Sequence, residues 1–301
     1  MKIAAIIPTF NRKEKLDIIL TQLCTQKGTD DIKLEIIVCV DGSSDGTDEM
    51  IKKKFPLVHT VSGDGNWWYT KSMNMGFQYA QQLNPDFVLT LNDDVEVDNY
   101  YVSILLTDFL SIGRKDIVLG SLSVSNDERR LVHFAGSKQN GTSVLSVKNY
   151  FPPLEMIYDR VVLSGIHPSR ELAGRGILIP NALLVNLNYF DESLPQYGSD
   201  TDFCLKVRKS GGDVLISWNA IVKVNVGLTR IRSESGRESL RVFLKDLFDK
   251  HSHYSIRKFI LLEYRYANPV KLIWKVPFFL GSSVWGIVKR NKARTRKQVS
   301  H

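Results

Sequence analysis

The 301 residues are 43% hydrophobic and 24% charged, the composition of an ordinary soluble globular protein with chain for one large domain or two modest ones. The three cysteines, Cys24, Cys39 and Cys204, are odd in number and form no CxxC pair, which argues against a disulfide scaffold or a zinc site and fits a reducing compartment. The net charge of +8 is concentrated in the tail: nine basic residues and no acidic one follow Glu263, so the body is nearly neutral. At the N-terminus a short apolar run stops at Pro8 and a charged stretch. It is too short for a signal peptide and predicts a strand. No apolar stretch reaches the roughly 18–20 residues that cross a bilayer, so a cytoplasmic protein is expected.

Lys2–Ile7 and Glu35–Val40 are short, Ile- and Val-rich runs followed by turn residues, and predict buried strands. Between them Leu16, Ile19, Leu20 and Leu23 recur at helical spacing over Lys13–Gln26, completing a strand–helix–strand unit of the kind that builds parallel sheets. Thr47–Lys54 predicts a helix, His59–Val61 a short strand, Ser72–Leu83 a helix and Asp86–Leu91 a buried strand. Further on, Val102–Ser111 reads as helix, Ile117–Leu122 as strand, and a polar stretch with Pro152 and Pro153 follows. Ile177–Leu187 reads as a strand with its connection, Asp200–Ser210 as an amphipathic helix, and 237–262 as one helical pattern. The expected organisation is an α/β half over 1–100, a second half over 101–225 and a basic helical extension over 226–301.

Ligands of open α/β sheets bind beyond the carboxyl ends of the strands, and three polar clusters fall there: Pro8-Thr9-Phe10-Asn11, Asp41-Gly42-Ser43-Ser44-Asp45-Gly46 and Asn92-Asp93-Asp94. The second is also an ordinary turn sequence. In the third, two adjacent carboxylates after a buried run repel each other unless a positive group shares them. Hard oxygen ligands suit Mg²⁺ or Mn²⁺, usually held by one or two carboxylates plus substrate phosphates; a solvated loop is the alternative. His133, His167, His251 and His253 make no metal-ligand pattern, and no P-loop or GxGxxG run occurs.

The ordered set PTFN, VDGSSDGT, GNWWYTKSMNMG, LNDDV and FDESLPQYGSDTDFCLKVRKSGG, spread over residues 3–225, resembles the inverting family 2 glycosyltransferases of GT-A fold, and within them the rhamnosyltransferase-like branch that builds bacterial surface polysaccharides. The resemblance implies a doubly wound mixed sheet and a metal-dependent transfer from a dTDP- or UDP-linked sugar, with dTDP-rhamnose favoured, to a glycan or lipid-linked acceptor. It implies that Thr9 and Asp41 contact the base, a carboxylate being able to accept the ring N–H of uracil or thymine. Asn11, Lys71, Asn74 and Asp93 join them around the nucleotide sugar, and Asp94 holds the metal. Asn92 stands at the first position of the family's DxD motif. Asp200 falls on the general base and Asp202 beside the acceptor, while Ser199 stands where the family has Glu. Trp67 and Trp68 offer aromatic faces to a sugar or pack as core.

After Asn268, Leu272, Ile273, Trp274, Phe278, Phe279, Val284, Trp285, Ile287 and Val288 are flanked by lysines and arginines. That mixture predicts a helix on an anionic membrane, hence a peripheral protein at the inner membrane face; a helix packed on the body is the alternative, and nucleic acid is not expected because the body lacks a basic face. Two rival functions stand beside the transferase. A sugar nucleotidyltransferase needs a Gly-rich basic loop after the first strand, which PTFNRKEK lacks, and Asn92 with Ser199 keeps a catalytically inactive carbohydrate-binding protein in view.

Overall fold

The computed structural model describes residues 1–225, 240–267, 270 and 272–281. The chain divides into two units, Met1–Lys138 with Lys148–Leu228, and Gln139–Val147 with Thr229–His301. Residues 1–100 and 101–225 therefore share one unit, and 139–147 group with the C-terminal residues.

The elements in chain order are β1 (Lys2–Thr9), α1 (Lys13–Cys24), β2 (Lys33–Asp41), α2 (Thr47–Lys54), β3 (His59–Gly63), α3 (Trp68–Leu83), β4 (Phe87–Thr90), β5 (Val95–Val97), α4 (Tyr101–Ser111) and β6 (Ile117–Ser125). There follow β7 (Val132–Phe134), β8 (Ser137–Gln139), β9 (Val147–Asn149), β10 (Ile166–Pro168), β11 (Ile177–Pro180), α5 (Asn181–Asn186), α6 (Ser199–Lys209), β12 (Asp213–Val224), α7 (Leu240–Phe248) and α8 (Ile256–Tyr266). The main sheet runs β10-β12-β6-β11-β4-β1-β2-β3, with β5 added to β12 and β7 to β6, while β8 and β9 pair with each other. β1, β2, β3 and β4 are parallel, and antiparallel β11 joins them to β6 and β12. The result is a mixed sheet.

β1 shows why the sheet is central. Ile3, Ala4, Ala5, Ile6 and Ile7 are all fully buried, as a strand covered on both faces requires. Side-chain alternation sends Ile3, Ala5 and Ile7 into one core with Leu16, Leu20, Leu105 and Phe109 of α1 and α4. Ala4 and Ile6 point into the other, with Met73 and Phe77 of α3 and Phe203 and Val207 of α6. Gly76 allows α3 its close approach: a Cβ there would lie 2.3 Å from Ile6 Cγ2 and 2.8 Å from Cys39 Sγ.

The structure departs from the sequence expectations in several places. α3 starts at Trp68 rather than Ser72, because Asp41 captures the N–H groups of its entry. Ile177–Leu187 divides into β11 and α5. The single pattern over 237–262 is two helices, α7 and α8, separated by the turns of 249–255. β12 was not expected at all. Its register against β6 shifts between Ser217 and Ile221, which breaks the two-residue alternation by which a strand is recognised.

In the C-terminal unit Phe243 and Leu247 pack with Tyr254, Ile256, Phe279 and Leu280, and Phe259 stacks on Phe279 at 4.3 Å between centroids. Glu263, fully buried, accepts the Val144 N–H at 2.6 Å and the Ser143 hydroxyl, and pairs with Lys275 at 2.5 Å. Residues 272–281 are helical. No helix among the described residues is long and apolar enough to cross a membrane. Val284, Trp285, Ile287, Val288 and the basic residues from Lys289 to Lys297 lie outside the described residues.

Candidate active site

The carboxyl ends of β1, β2 and β4 open on one side of the first unit, and the polar clusters meet there. Asp93 is buried; its Oδ2 accepts the Thr9 hydroxyl at 2.8 Å and its Oδ1 accepts Arg12 Nη1 at 2.9 Å. The same Arg12 nitrogen donates to Asp94 Oδ2 at 3.0 Å. Burial first, and the neighbouring Asp94 charge as well, push the Asp93 carboxyl up to about 6 against the opposing pull of Arg12. The repulsion expected between the two carboxylates is therefore answered by one guanidinium from the β1–α1 turn. Sequence reading missed Arg12, a half-exposed arginine one residue beyond the expected cluster.

The donor set suits a hard cation held by carboxylate oxygens together with substrate phosphates. Asp94 gives one oxygen to Arg12 and has the other available, whereas Asp93 has both oxygens engaged. Among the described residues no three His, Cys, Asp or Glu side chains converge.

Asp41, expected to contact the base, organises the backbone after β3. It is buried, and its two oxygens accept three backbone N–H groups, from Gly65 at 2.8 Å, Trp67 at 2.9 Å and Trp68 at 3.2 Å. Those bonds hold Trp68 at a φ of +58°, a conformation that costs a bulky residue about 1–3 kcal/mol, with the residue 46% exposed. Asn11 likewise works on the backbone. It accepts Ser44 N–H at 2.8 Å while its own N–H donates to Ser43 Oγ at 3.0 Å, tying the β1–α1 turn to the turn after β2. Lys71 is exposed, its Nζ 5.7 Å from the Trp67 ring centroid.

Two expected contacts turn inward. Asn74 is buried and makes bonds with all its polar atoms: Nδ2 donates to Phe190 O at 2.9 Å and Glu192 Oε1 at 3.0 Å, and Oδ1 accepts Phe190 N–H at 3.1 Å. Asp202 is fully buried in the first turn of α6, 3.4 Å from Lys206.

Asn74 belongs to a latch that brings the 190–200 segment onto α3. Thr70 N–H donates to Pro195 O at 2.9 Å, Tyr69 N–H to Gln196 Oε1 at 3.2 Å, and the Thr70 hydroxyl to Ser199 Oγ at 2.9 Å. Ser199, at the position where Glu was expected, is thus fully buried against α3. The latch sets Asp200 beside the loop before β11, where Oδ2 accepts Gly174 N–H at 3.0 Å and Oδ1 accepts its neighbour Thr201 N–H at 2.8 Å. The next loop residue, Arg175, feels both Asp94 and Asp200: burial lowers its proton affinity first, and those two carboxylates oppose it. His133 on β7 is driven down to about 4 by burial and by Arg175, so it is neutral at physiological pH. Arg175 thus shares one electrostatic neighbourhood with Asp94, Asp200 and His133, which come from distant stretches of chain.

Residues 4–161 match the sequence family described as Glycosyl transferase family 2. No curated protein matches. Among solved structures, GalNAc-T7 crystallised with UDP, GalNAc and Mn²⁺ is similar over 75% of this chain and 44% of its own, at 16% identity and a TM-score of 0.58. TarS 1–349 from S. aureus is similar over 75% of this chain and 60% of its own, at 18% identity and a TM-score of 0.54. The same protein in complex with UDP-GlcNAc is similar over 89% of this chain and 74% of its own, at 15% identity and a TM-score of 0.54. The chain spans less than two thirds of the first two. At these identities the likeness is one of fold, that of the GT-A glycosyltransferases.

Proposed function

The chain belongs to glycosyl transferase family 2, and we propose that it transfers a sugar from a uridine or thymidine diphosphate donor to a hydroxyl acceptor with inversion and with the help of Mg²⁺ or Mn²⁺. The observation that carries this reading is that Asp94 and Asp200, from distant stretches of chain, both act on the charge of Arg175, whose neighbour Gly174 donates its N–H to Asp200 at 3.0 Å. The structures of similar fold crystallised with UDP, with Mn²⁺ or with UDP-GlcNAc support a nucleotide-sugar donor. The ordered motifs favour rhamnose as the sugar and a surface glycan, free or lipid-linked, as the acceptor.

In this reading Thr9 and Arg12 orient Asp93 and Asp94, and Asp94 would hold the cation. A bound divalent cation supplies positive charge to the departing diphosphate. Asp200, oriented by the Gly174 and Thr201 N–H groups, takes the acceptor hydroxyl proton as that oxygen bonds to the anomeric carbon. The bond from that carbon to the phosphate oxygen breaks, and its electrons leave with the diphosphate from the opposite face. The raised Trp68 ring offers the C–H face of a sugar an aromatic surface.

The C-terminal unit adds a membrane surface to the proposal. Phe248, Tyr264, Ile273, Trp274 and Phe278 are between 64% and 79% exposed. Large aromatic groups on helices accompanied by basic residues suit the interface of an anionic bilayer.

The deciding experiment is calorimetric titration of UDP and dTDP into the protein with and without Mn²⁺. The wild type binds one of them with Mn²⁺-dependent affinity, and Asp94→Ala removes the metal dependence while circular dichroism shows the fold intact. Undiminished Mn²⁺-dependent binding by Asp94→Ala would falsify the assignment of the metal ligand.

A further inference from the structure

Arg175 has a feature that the reaction scheme above leaves without a purpose. The backbone on either side of it is fixed. Gly174 donates its N–H to Asp200 at 3.0 Å and accepts the Tyr69 hydroxyl at 3.1 Å, while Gly176 donates its N–H to Thr90 O at 2.6 Å. Thr90 is the last residue of β4, four positions before Asp94. Residue 175 is thereby held between the candidate base and the candidate metal ligand.

Its side chain is half-buried, yet among the described residues the guanidinium makes no hydrogen bond and no ion pair within 4.0 Å. Asp94 and Asp200 are near enough to act on its charge and too far to pair with it. A guanidinium carries five N–H donors in a rigid fork. Arg12 is the contrast: it lies at hydrogen-bond distance from both carboxylates of its pair. An arginine fixed at its base, open at its fork and flanked by two carboxylates is arranged for an anion that arrives with substrate.

We infer that Arg175 receives the diphosphate of the donor. The inference rests on the nucleotide-sugar reading and adds to it the group that takes the phosphate oxygens. Phosphate offers the fork two acceptors at once, which a single carboxylate at a distance does not. The position also suits the movement of charge. As the proton reaches Asp200, that carboxylate becomes neutral, and negative charge grows on the departing diphosphate beside Asp94. Arg175 loses attraction at one end as it gains it at the other, without moving its backbone.

The test compares UDP with UMP, and dTDP with dTMP, by calorimetry in Mn²⁺ on the full chain as wild type, Arg175→Met and Arg175→Lys. Wild type prefers the diphosphate. Arg175→Met loses about tenfold or more in diphosphate affinity while monophosphate affinity moves by less than about threefold, and Arg175→Lys keeps part of the preference because it keeps the charge without the fork. Arg175→Gln replaces the Met variant if thermal melting shows that Met disturbs the fold. A neutral variant that retains the wild-type preference overturns the inference and leaves the nucleotide-sugar reading standing. Equal loss of mono- and diphosphate overturns it too, since that marks a disturbed pocket. If the wild type binds none of the four, the reading beneath the inference fails, and the inference with it.

Discussion

Asn74 shows how far a single residue can be read from sequence. The family motif places it at the nucleotide, but it stands on the same helical stripe as Met73 and Phe77, which are fully buried, and a polar side chain on such a stripe has to find partners inside. It finds them in Phe190 and Glu192. Asn74→Ala should therefore lower stability by about 1–3 kcal/mol, the cost of leaving a buried donor such as the Phe190 N–H unpaired, and change nucleotide affinity by less than about threefold, because the motif's contact is structural. Urea unfolding and calorimetry measure the two effects; a stable variant that no longer binds nucleotide would return Asn74 to the ligand. The paired carboxylates stood out in the sequence because adjacent acids after a buried strand repel each other unless a positive group shares them, and Asp200 was named through the resemblance of its motif. Arg12 and Arg175 were not legible. Arginines are numerous and mostly solvated, and nothing in the chain near position 175 points to Asp94 or Asp200. The pairing of β11 with β4 brings Arg175 to the end of β4, and the latch on α3 brings Asp200 to it.

At the scale of elements, the meeting of α3, α6 and the loop before β11 decides where Asp200 sits. These elements touch through Gly174, where a Cβ would lie 2.2 Å from Tyr69 Oη and 3.4 Å from Asp200 Oδ2. Gly174→Ala should force Tyr69 aside and destabilise by about 1–3 kcal/mol, the usual cost of overpacking. Removing the clashing hydroxyl in the double variant Gly174→Ala/Tyr69→Phe should restore part of that loss, a non-additivity expected of side chains in contact. Thermal melts of the two single variants and the double variant give the coupling, and strict additivity would mean that the two positions do not meet. The apolar runs and helical spacings of the first hundred residues were read closely, since each strand there is buried on both faces or paired with a regular helix. The second half was not. β12 changes register midway, and β7 and β10 are three residues each, too short to display a period.

For the whole molecule, the charge asymmetry of the sequence takes on a different meaning in the C-terminal unit. Lys275, one of the nine basic residues after Glu263, faces inward and neutralises that buried carboxylate. Cutting the chain at 268 would remove this partner and leave Glu263 buried and unpaired, a change that typically costs about 3–5 kcal/mol, so truncation confounds folding with docking. Trp274→Ser/Phe278→Ser leaves the ion pair in place and removes only exposed rings. It should reduce sedimentation with anionic vesicles, and the wild type should keep part of its binding at high salt, where screening has removed the electrostatic share. Equal binding by both proteins would move the membrane contact away from these helices. The central claim concerns the other unit, that this fold places a base opposite a nucleotide-sugar site. It is tested most directly by one measurement: turnover and nucleotide affinity determined together for Asp200→Asn. The amide keeps the shape of the side chain but cannot accept a proton at neutral pH, so turnover should fall by about 10²–10⁴-fold while nucleotide affinity stays within a few-fold. Full turnover by Asp200→Asn, or a loss of nucleotide affinity as large as the loss of turnover, would contradict the account.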